Sequence, residues 1–333
     1  MDPASFQHCE ARLSTGRTYH FVDQKPQNYS NETQTLLCVH GFPDLWYGWR
    51  YQIGPWVERG YRVVVPDMLG FGKTDMPTET WAYSTKHLCS DLAALLDHIG
   101  VHKAVFIGHD WGAYIGTRFA LWQPDRLLAL AIVSVPYAPP REQYFSLEQM
   151  VEHYPAFSYM LYFASEESTV EVEAHLPAFF SAIYRSSTTR IDHLLRSGRL
   201  REVLFDAPVT EGCILNEEER SYYISNYRRG MIGPLSYYRT TEIRFEEELA
   251  ASLPNRAHIS LPVFFIGGTE DRTCSLSALE TSKALLNNLT AVILQGRGHW
   301  LMIEAADSVT QEILRWLESL ALTTPGSQHK LHL

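Results

Sequence analysis

The sequence predicts a doubly wound, mostly parallel α/β sheet interrupted by one helical insertion. Three observations carry this. Six short apolar runs recur at 36–42, 62–68, 104–110, 128–135, 263–268 and 291–296. Runs apolar on both faces fit strands covered on both sides, as in a parallel sheet. Helical patterns fill most gaps between them, and that alternation defines the class. From about Pro139 to Arg244 the alternation stops, and eleven of the 18 tyrosines fall between Tyr137 and Tyr238.

The elements follow in order. The runs LLCVHGF, RVVVPDM and AVFIGHD open the sheet. Between the last two, Leu88, Leu92, Leu95, Leu96 and Ile99 share one helical face, with Gly100 as a C-cap. LALAIVSV follows, and then the strandless, aromatic-rich stretch. VFFIGG and AVILQG resume the sheet. Val309, Ile313, Leu314, Trp316, Leu317 and Leu320 line the last helix, with Asp307 as its expected N-cap. The expected division is 1–138 and 245–333 for the two parts of the sheet core, and 139–244 for a helical cap. Such a cap would cover the C-terminal edge of the sheet, where open α/β sheets hold ligands. The polar, turn-rich QKPQNYSNETQ and the terminal TTPGSQHKL read as loose.

Composition narrows the functions. The 333 residues carry a net charge of −10. That balance argues against a nucleic-acid partner. With 45% hydrophobic and 20% charged residues, the chain can bury a large core without metal or disulfides. Its longest apolar stretch, Leu127 to Val135, falls far short of the ~20 residues that span a bilayer. The N-terminal segment has no apolar core of a signal peptide. Cys9, Cys38, Cys89, Cys213 and Cys274 are odd in number and unpaired in spacing, as in reduced cytoplasmic proteins. In that setting the sequons at Asn28, Asn31 and Asn288 are chance matches.

One motif carries chemistry outright. Gly108-His109-Asp110-Trp111-Gly112 lies between a strand and a helix. Glycines two residues either side let the chain turn sharply and thrust the central side chain above the sheet edge. This is the pattern of the nucleophile elbow, with Asp110 where Ser is usual. A tight turn with an acidic helix cap would also explain the pentapeptide. The exchange alters the reaction. A carboxylate is charged at neutral pH, attacks saturated carbon, and becomes an ester that water must then cleave.

The remaining parts are in chain order. His299 follows the last run and precedes the last helix. Asp271 follows the run before, placed to orient the imidazole, with Glu270 as runner-up. The N–H groups of Phe42 and Trp111 would form an oxyanion hole at Asp110. The stretch Gly70-Phe71-Gly72-Lys73-Thr74 is not a phosphate loop, because Asp67 stands where that loop needs Gly. No metal site or cofactor is implied. His40, His109 and His299 each have a better explanation.

With HGFPDLWYGWR, VVVPDMLGFGKTD, GHDWGAYIG and GHW, the chain resembles the epoxide hydrolases of the α/β-hydrolase fold over roughly residues 15–320. The resemblance implies a helical cap between strands six and seven and a cis peptide at Phe42–Pro43. It implies two cap tyrosines that protonate an epoxide oxygen. Tyr159-Met160-Leu161-Tyr162-Phe163 carries the first role to Tyr159, though Ala164 stands where the family often has Gln. In Gly233-Pro234-Leu235-Ser236-Tyr237-Tyr238 the register favours Tyr238 over Tyr237. His40, Pro43, Phe163 and Trp300 are expected to line the substrate pocket. The implied partners are a small epoxide and water, and a homodimer is allowed. A haloalkane or haloacid dehalogenase would share the Asp–His–Asp set. Its halide needs N–H donors such as a cap Trp, and all eight tryptophans lie outside 123–299. A non-catalytic binding protein of this fold would not need all five residues in register.

Overall fold

The computed structural model describes residues 1–186, 199–205, 212–273 and 276–320. Cys274 and the terminal TTPGSQHKL segment lie outside them. Eight strands form one sheet: β1 (His8–Arg12), β2 (Thr18–Gln24), β3 (Thr35–Val39), β4 (Arg62–Pro66), β5 (Ala104–His109), β6 (Leu127–Val133), β7 (Ile259–Gly268) and β8 (Leu286–Leu294). Their order is β1-β2-β4-β3-β5-β6-β7-β8. From β4 to β8 all pairings are parallel, while β2 runs antiparallel to both β1 and β4.

The six apolar runs all become strands. Val63, Val64 and Val65 are wholly buried in β4, as are Leu36, Leu37, Cys38 and Val39 in β3. Helices α1 (Arg50–Glu58), α2 (Thr85–His98) and α3 (Trp111–Trp122) cover the first half. Gly100 turns the chain after α2 with φ +72, one residue beyond the capping position at Ile99.

The sequence reading missed β1 and β2. Neither has a continuous apolar run: β1 is an edge strand exposed on most of its length, and β2 carries the buried polar residues His20 and Asp23. Polar contacts fix them instead. Arg62 grips Asp23 through two hydrogen bonds of 2.8 and 2.7 Å, fastening β2 to β4.

Between β6 and β7 the described residues form only helices. They are α4 (Leu147–His153), α5 (Tyr159–Ala164), α6 (Glu167–Ala174), α7 (Leu176–Ile183), α8 (Arg199–Phe205), α9 (Glu217–Tyr227), α10 (Ile232–Ser236) and α11 (Thr241–Ala250). The expected boundary at Arg244 falls inside α11. Glu248 of α11 binds Arg118 of α3 at 2.7 Å, which ties that helix to the sheet layer.

The tyrosines of this insertion dock it. Tyr223 donates to Asp44 Oδ1 at 2.6 Å and Tyr227 to the Asp44 carbonyl at 2.9 Å. Trp46 donates its indole N–H to the Tyr222 hydroxyl at 2.9 Å, and Arg50 pairs with Glu219 at 2.8 Å. A phenol buries an apolar ring and still satisfies a polar tip, which suits an interface between two layers.

After β7 come α12 (Leu276–Lys283), β8, α13 (Leu301–Glu304) and α14 (Ala306–Ser319). Asp307 does not cap α14. Ala305 holds the N-cap position and Asp307 lies in the first turn, where its charge still complements the helix dipole. Among the described residues no helix is long and apolar enough to cross a membrane.

Candidate active site

β5 ends at His109, and α3 begins at Trp111. Asp110 between them has φ 53 and ψ −118, a strained backbone for a residue with a side chain. Its neighbours enforce the turn. A Cβ on Gly112 would stand 2.1 Å from the carbonyl oxygen of Val39, so α3 packs against β3 only with glycine there. The loop after β3 is as tight. A Cβ on Gly41 would meet Asp110 Oδ1 at 2.3 Å.

That closeness lets the backbone reach the carboxylate. The N–H of Phe42 donates to Asp110 Oδ1 at 2.8 Å, and the N–H of Trp111 also stabilises the charged group. The Phe42–Pro43 peptide is cis. Burial raises the Asp110 carboxyl above its usual range, against the lowering effect of His299 and of the two N–H groups. The Phe42 bond goes to Oδ1, and Oδ2 is the second oxygen of the carboxylate.

His299 faces this oxygen. Its Nε2 lies 3.7 Å from Asp110 Oδ2, too far for a hydrogen bond. Its Nδ1 lies 3.1 Å from Asp271 Oδ2. Burial disfavours the imidazolium, but Asp271 and then Asp110 outweigh it and raise His299 to about 9. Burial raises Asp271 as well, yet His299 and Thr273 bring it below its usual value. Glu270 is exposed, and its N–H is taken by the Arg297 carbonyl.

Four supporting residues escaped the sequence reading. Thr273 gives Asp271 Oδ1 both its N–H (2.8 Å) and its hydroxyl (2.7 Å), locking the carboxylate. The Asp-x-Thr spacing is a turn pattern that could have signalled this. Ser134 and His109 both donate to the His299 carbonyl at 2.9 Å. Glu304 accepts from the N–H groups of Gly298 (3.2 Å) and Trp300 (3.0 Å), holding the His299 loop. No local signal marks Ser134 or His109, because their contacts cross between separate elements, whereas Glu304 lies only four residues after Trp300.

Asp110, Trp111, Tyr159 and Tyr238 line one cavity of about 410 Å³ beneath the insertion. The Tyr238 ring sits edge-on to Phe42 and to Trp111, 5.2 Å between centroids in each case. The Tyr159 ring is 6.4 Å from that of Tyr238. Burial and the Asp110 charge push both phenols well up, so both stay protonated donors. Tyr237 is turned away, its hydroxyl donating to the Leu69 carbonyl at 2.9 Å.

The four residues expected to line the pocket do not line this cavity. His40 is buried, donating from Nδ1 to the Gly41 carbonyl and accepting the Met68 N–H. Pro43 gives its carbonyl to Tyr184. Trp300 stacks on Tyr184 at 3.9 Å and donates to the Ile183 carbonyl. Phe163 packs behind Tyr238 and Phe42. Phe163 backs two residues of the site, while His40, Pro43 and Trp300 are engaged by the Gly41 carbonyl, Met68, Tyr184 and Ile183. Among the described residues no group of three His, Cys, Asp or Glu could hold a metal ion.

An acid at a strand–helix elbow, met by a His–Asp pair from the loops after the last two strands, belongs to the α/β-hydrolase class. The family pattern for the alpha/beta hydrolase fold matches residues 34–306. Epoxide hydrolase A of Mycobacterium tuberculosis is 32% identical over 304 residues, covering 86% of this chain and 91% of that protein. The chain belongs to the epoxide hydrolase family of this fold. The crystal structure of epoxide hydrolase A from Mycobacterium thermoresistibile superposes with a TM-score of 0.82, at 29% identity over 94% of this chain and 98% of that one. Bifunctional epoxide hydrolase 2 of Sus scrofa is 29% identical over 325 residues, 96% of this chain. The chain spans 56% of that relative's length.

Proposed function

We propose that the protein hydrolyses epoxides to vicinal diols through an ester on Asp110. The single observation that carries this is the division of the Asp110 carboxylate. Oδ1 is held by the Phe42 N–H, while Oδ2 lies on the His299 side, 3.7 Å from Nε2.

In the first step Oδ2 attacks an epoxide carbon from behind. The new C–O bond forms as the ring C–O bond breaks. Tyr159 or Tyr238 gives its proton to the departing oxygen, and the other tyrosine donates a hydrogen bond. Both must therefore be protonated beforehand, which their raised pKa values support. In the second step His299, oriented by Asp271, takes a proton from water. The water oxygen adds to the Asp110 carboxyl carbon. The negative oxygen so formed is stabilised by the N–H groups of Phe42 and Trp111. The bond from that carbon to the alkyl oxygen then breaks, and that oxygen takes the remaining water proton from the new carboxyl group. The diol leaves with Asp110 again a carboxylate, and His299 returns the proton that restores the tyrosine.

The helical insertion acts as the lid that supplies both tyrosines and keeps bulk water from the ester. Cys9, Cys38, Cys89 and Cys213 carry free thiols, which supports a reducing compartment such as the cytoplasm.

The test is diol formation from a styrene-oxide-type epoxide, with halide release from haloalkanes measured alongside. Diol formation that disappears in Asp110→Ala is the expected result. Halide release without diol would replace the reading with a dehalogenase.

A further inference from the structure

The cavity that holds Asp110 also holds a cation that ring opening does not use. Arg244, on α11, lines the cavity and is only 8% exposed. Its guanidinium lies over the rings of Trp111 and Tyr114, 5.1 and 5.0 Å from their centroids. Its Nε has no partner, and its single side-chain hydrogen bond is a long one of 3.3 Å from Nη2 to Thr241 Oγ1. Among the described residues no carboxylate pairs with it.

Arg118, in the same wall, behaves differently. Its Nε meets Glu248 at 2.7 Å, one terminal nitrogen meets the Ala138 carbonyl at 2.6 Å, and the other meets the Tyr114 hydroxyl at 3.0 Å. The Arg118–Glu248 pair neutralises itself and leaves the Arg244 charge uncompensated. A buried cation without a counter-ion is costly unless a ligand supplies one. Met150, Phe157, Met160 and Phe245 make the neighbouring wall apolar. Of the arginines in the lining, Arg118 is paired with Glu248 and Arg141 is exposed and lies over the Phe145 ring, so Arg244 is the buried cation an entering anion meets.

We propose that Arg244 anchors a carboxylate on the substrate, making an epoxide with an acid group a few carbons away the preferred class. This rests on the epoxide hydrolase reading. The aromatic rings hold the guanidinium flat, and a planar edge suits a carboxylate's two oxygens. Such an anion would otherwise be repelled by Asp110. Arg244, beside the ring of Trp111, offsets that repulsion and sets which end of the molecule faces the carboxylate.

The experiment compares a terminal epoxyhexanoate with its primary amide, in wild type, Arg244→Gln and Arg244→Lys. The acid should exceed the amide in kcat/KM by about tenfold or more in wild type, as for a hydrogen bond to a charged group. The ratio should fall to about one in Arg244→Gln and be partly kept in Arg244→Lys. Binding of phenylbutyrate against phenylbutanamide, measured by calorimetry, gives the same comparison without chemistry. A ratio near one in wild type, or one unchanged in folded Arg244→Gln, overturns the proposal. Absence of diol from these epoxides and from styrene oxide would refute the hydrolase reading instead, and the binding comparison would still decide the role of Arg244.

Discussion

One imidazole, that of His299, lies between two carboxylates that are held differently: Nδ1 is 3.1 Å from Asp271, and Nε2 is 3.7 Å from Asp110. Asp271 is locked by Thr273 and stays charged, whereas Asp110 would lose its charge whenever it became an ester. The resting pKa of about 9 would leave His299 protonated at neutral pH and unable to act as a base. Burial pulls that value down, Asp271 pulls it up most, and Asp110 adds to the rise. In the proposed mechanism esterification would remove the Asp110 contribution, so the pKa would fall just when a base is needed. The expected outcome is a His299 titration that moves to lower pH in Asp110→Asn, read by NMR of the ring protons. A midpoint that stays put would mean that the two groups do not sense each other.

Removing the base should separate the two steps. His299→Gln keeps Asp110, its Phe42 hydrogen bond and both tyrosines, so ring opening proceeds and the ester accumulates. Mass spectrometry of the variant after brief exposure to an epoxide should show the substrate mass added to the chain. A single turnover of wild type in water enriched with heavy oxygen should label the protein rather than the diol, since the diol carries off an Asp110 oxygen. Label found mainly in the diol would end the covalent route.

The tyrosines make a distinct prediction because the proposed mechanism uses them only in ring opening. Tyr159→Phe or Tyr238→Phe should slow ester formation by about a hundredfold, the lower range for one proton donor, and leave ester hydrolysis close to wild type. Tyr237→Phe should leave both steps near wild type, because its hydroxyl is spent on the Leu69 carbonyl. Stopped-flow tryptophan fluorescence separates the two rates. Equal loss in both would point to a packing defect in the lid.

Much of this site was readable from the chain because its parts are local. The elbow needs small residues at 108 and 112 and a reactive one at 110. The sheet's order then places Asp271 and His299 beside it. The pocket wall was not readable. His40, Pro43, Phe163 and Trp300 are the residues expected there, and none of them lines the cavity that holds Asp110. Outside the cavity wall, Tyr184 takes up Pro43 and Trp300, the Met68 N–H takes up His40, and Phe163 packs on Phe42 and Tyr238. The strands β1 and β2 were missed for a related reason. They are held by Asp23–Arg62 and by pairing, not by an apolar run. Interactions that join distant segments leave no periodicity to read.

Gly41 offers a steric test. A Cβ there would lie 2.3 Å from Asp110 Oδ1, so Gly41→Ala must displace either the loop or the carboxylate. In either case the Phe42 N–H loses its 2.8 Å bond to Oδ1. Loss of one oxyanion donor costs on the order of a hundredfold in rate or more. The variant should fold and show that loss mainly in ester hydrolysis. An active Gly41→Ala would mean that this N–H is not part of the chemistry.

The last prediction concerns what the charged Asp110 does to the fold. Burial is the largest influence on it and raises its pKa in the folded chain, in spite of His299 and the two N–H groups. A carboxyl raised on folding favours the folded state while it is protonated. That contribution is lost as pH rises through the folded pKa, so at neutral pH the ionised Asp110 weakens the protein. Its φ of 53 adds strain that any non-glycine residue there would share. Asp110→Asn keeps the shape and an oxygen for the Phe42 N–H but removes the buried charge. Its melting temperature should therefore exceed that of wild type by a few degrees at neutral pH. The difference should shrink as pH falls through the raised folded pKa toward the usual carboxylate range, where wild type loses the same charge by protonation. Thermal unfolding at several pH values checks this. A less stable Asp110→Asn at neutral pH would show that the pairing with His299 outweighs the cost of burying the charge.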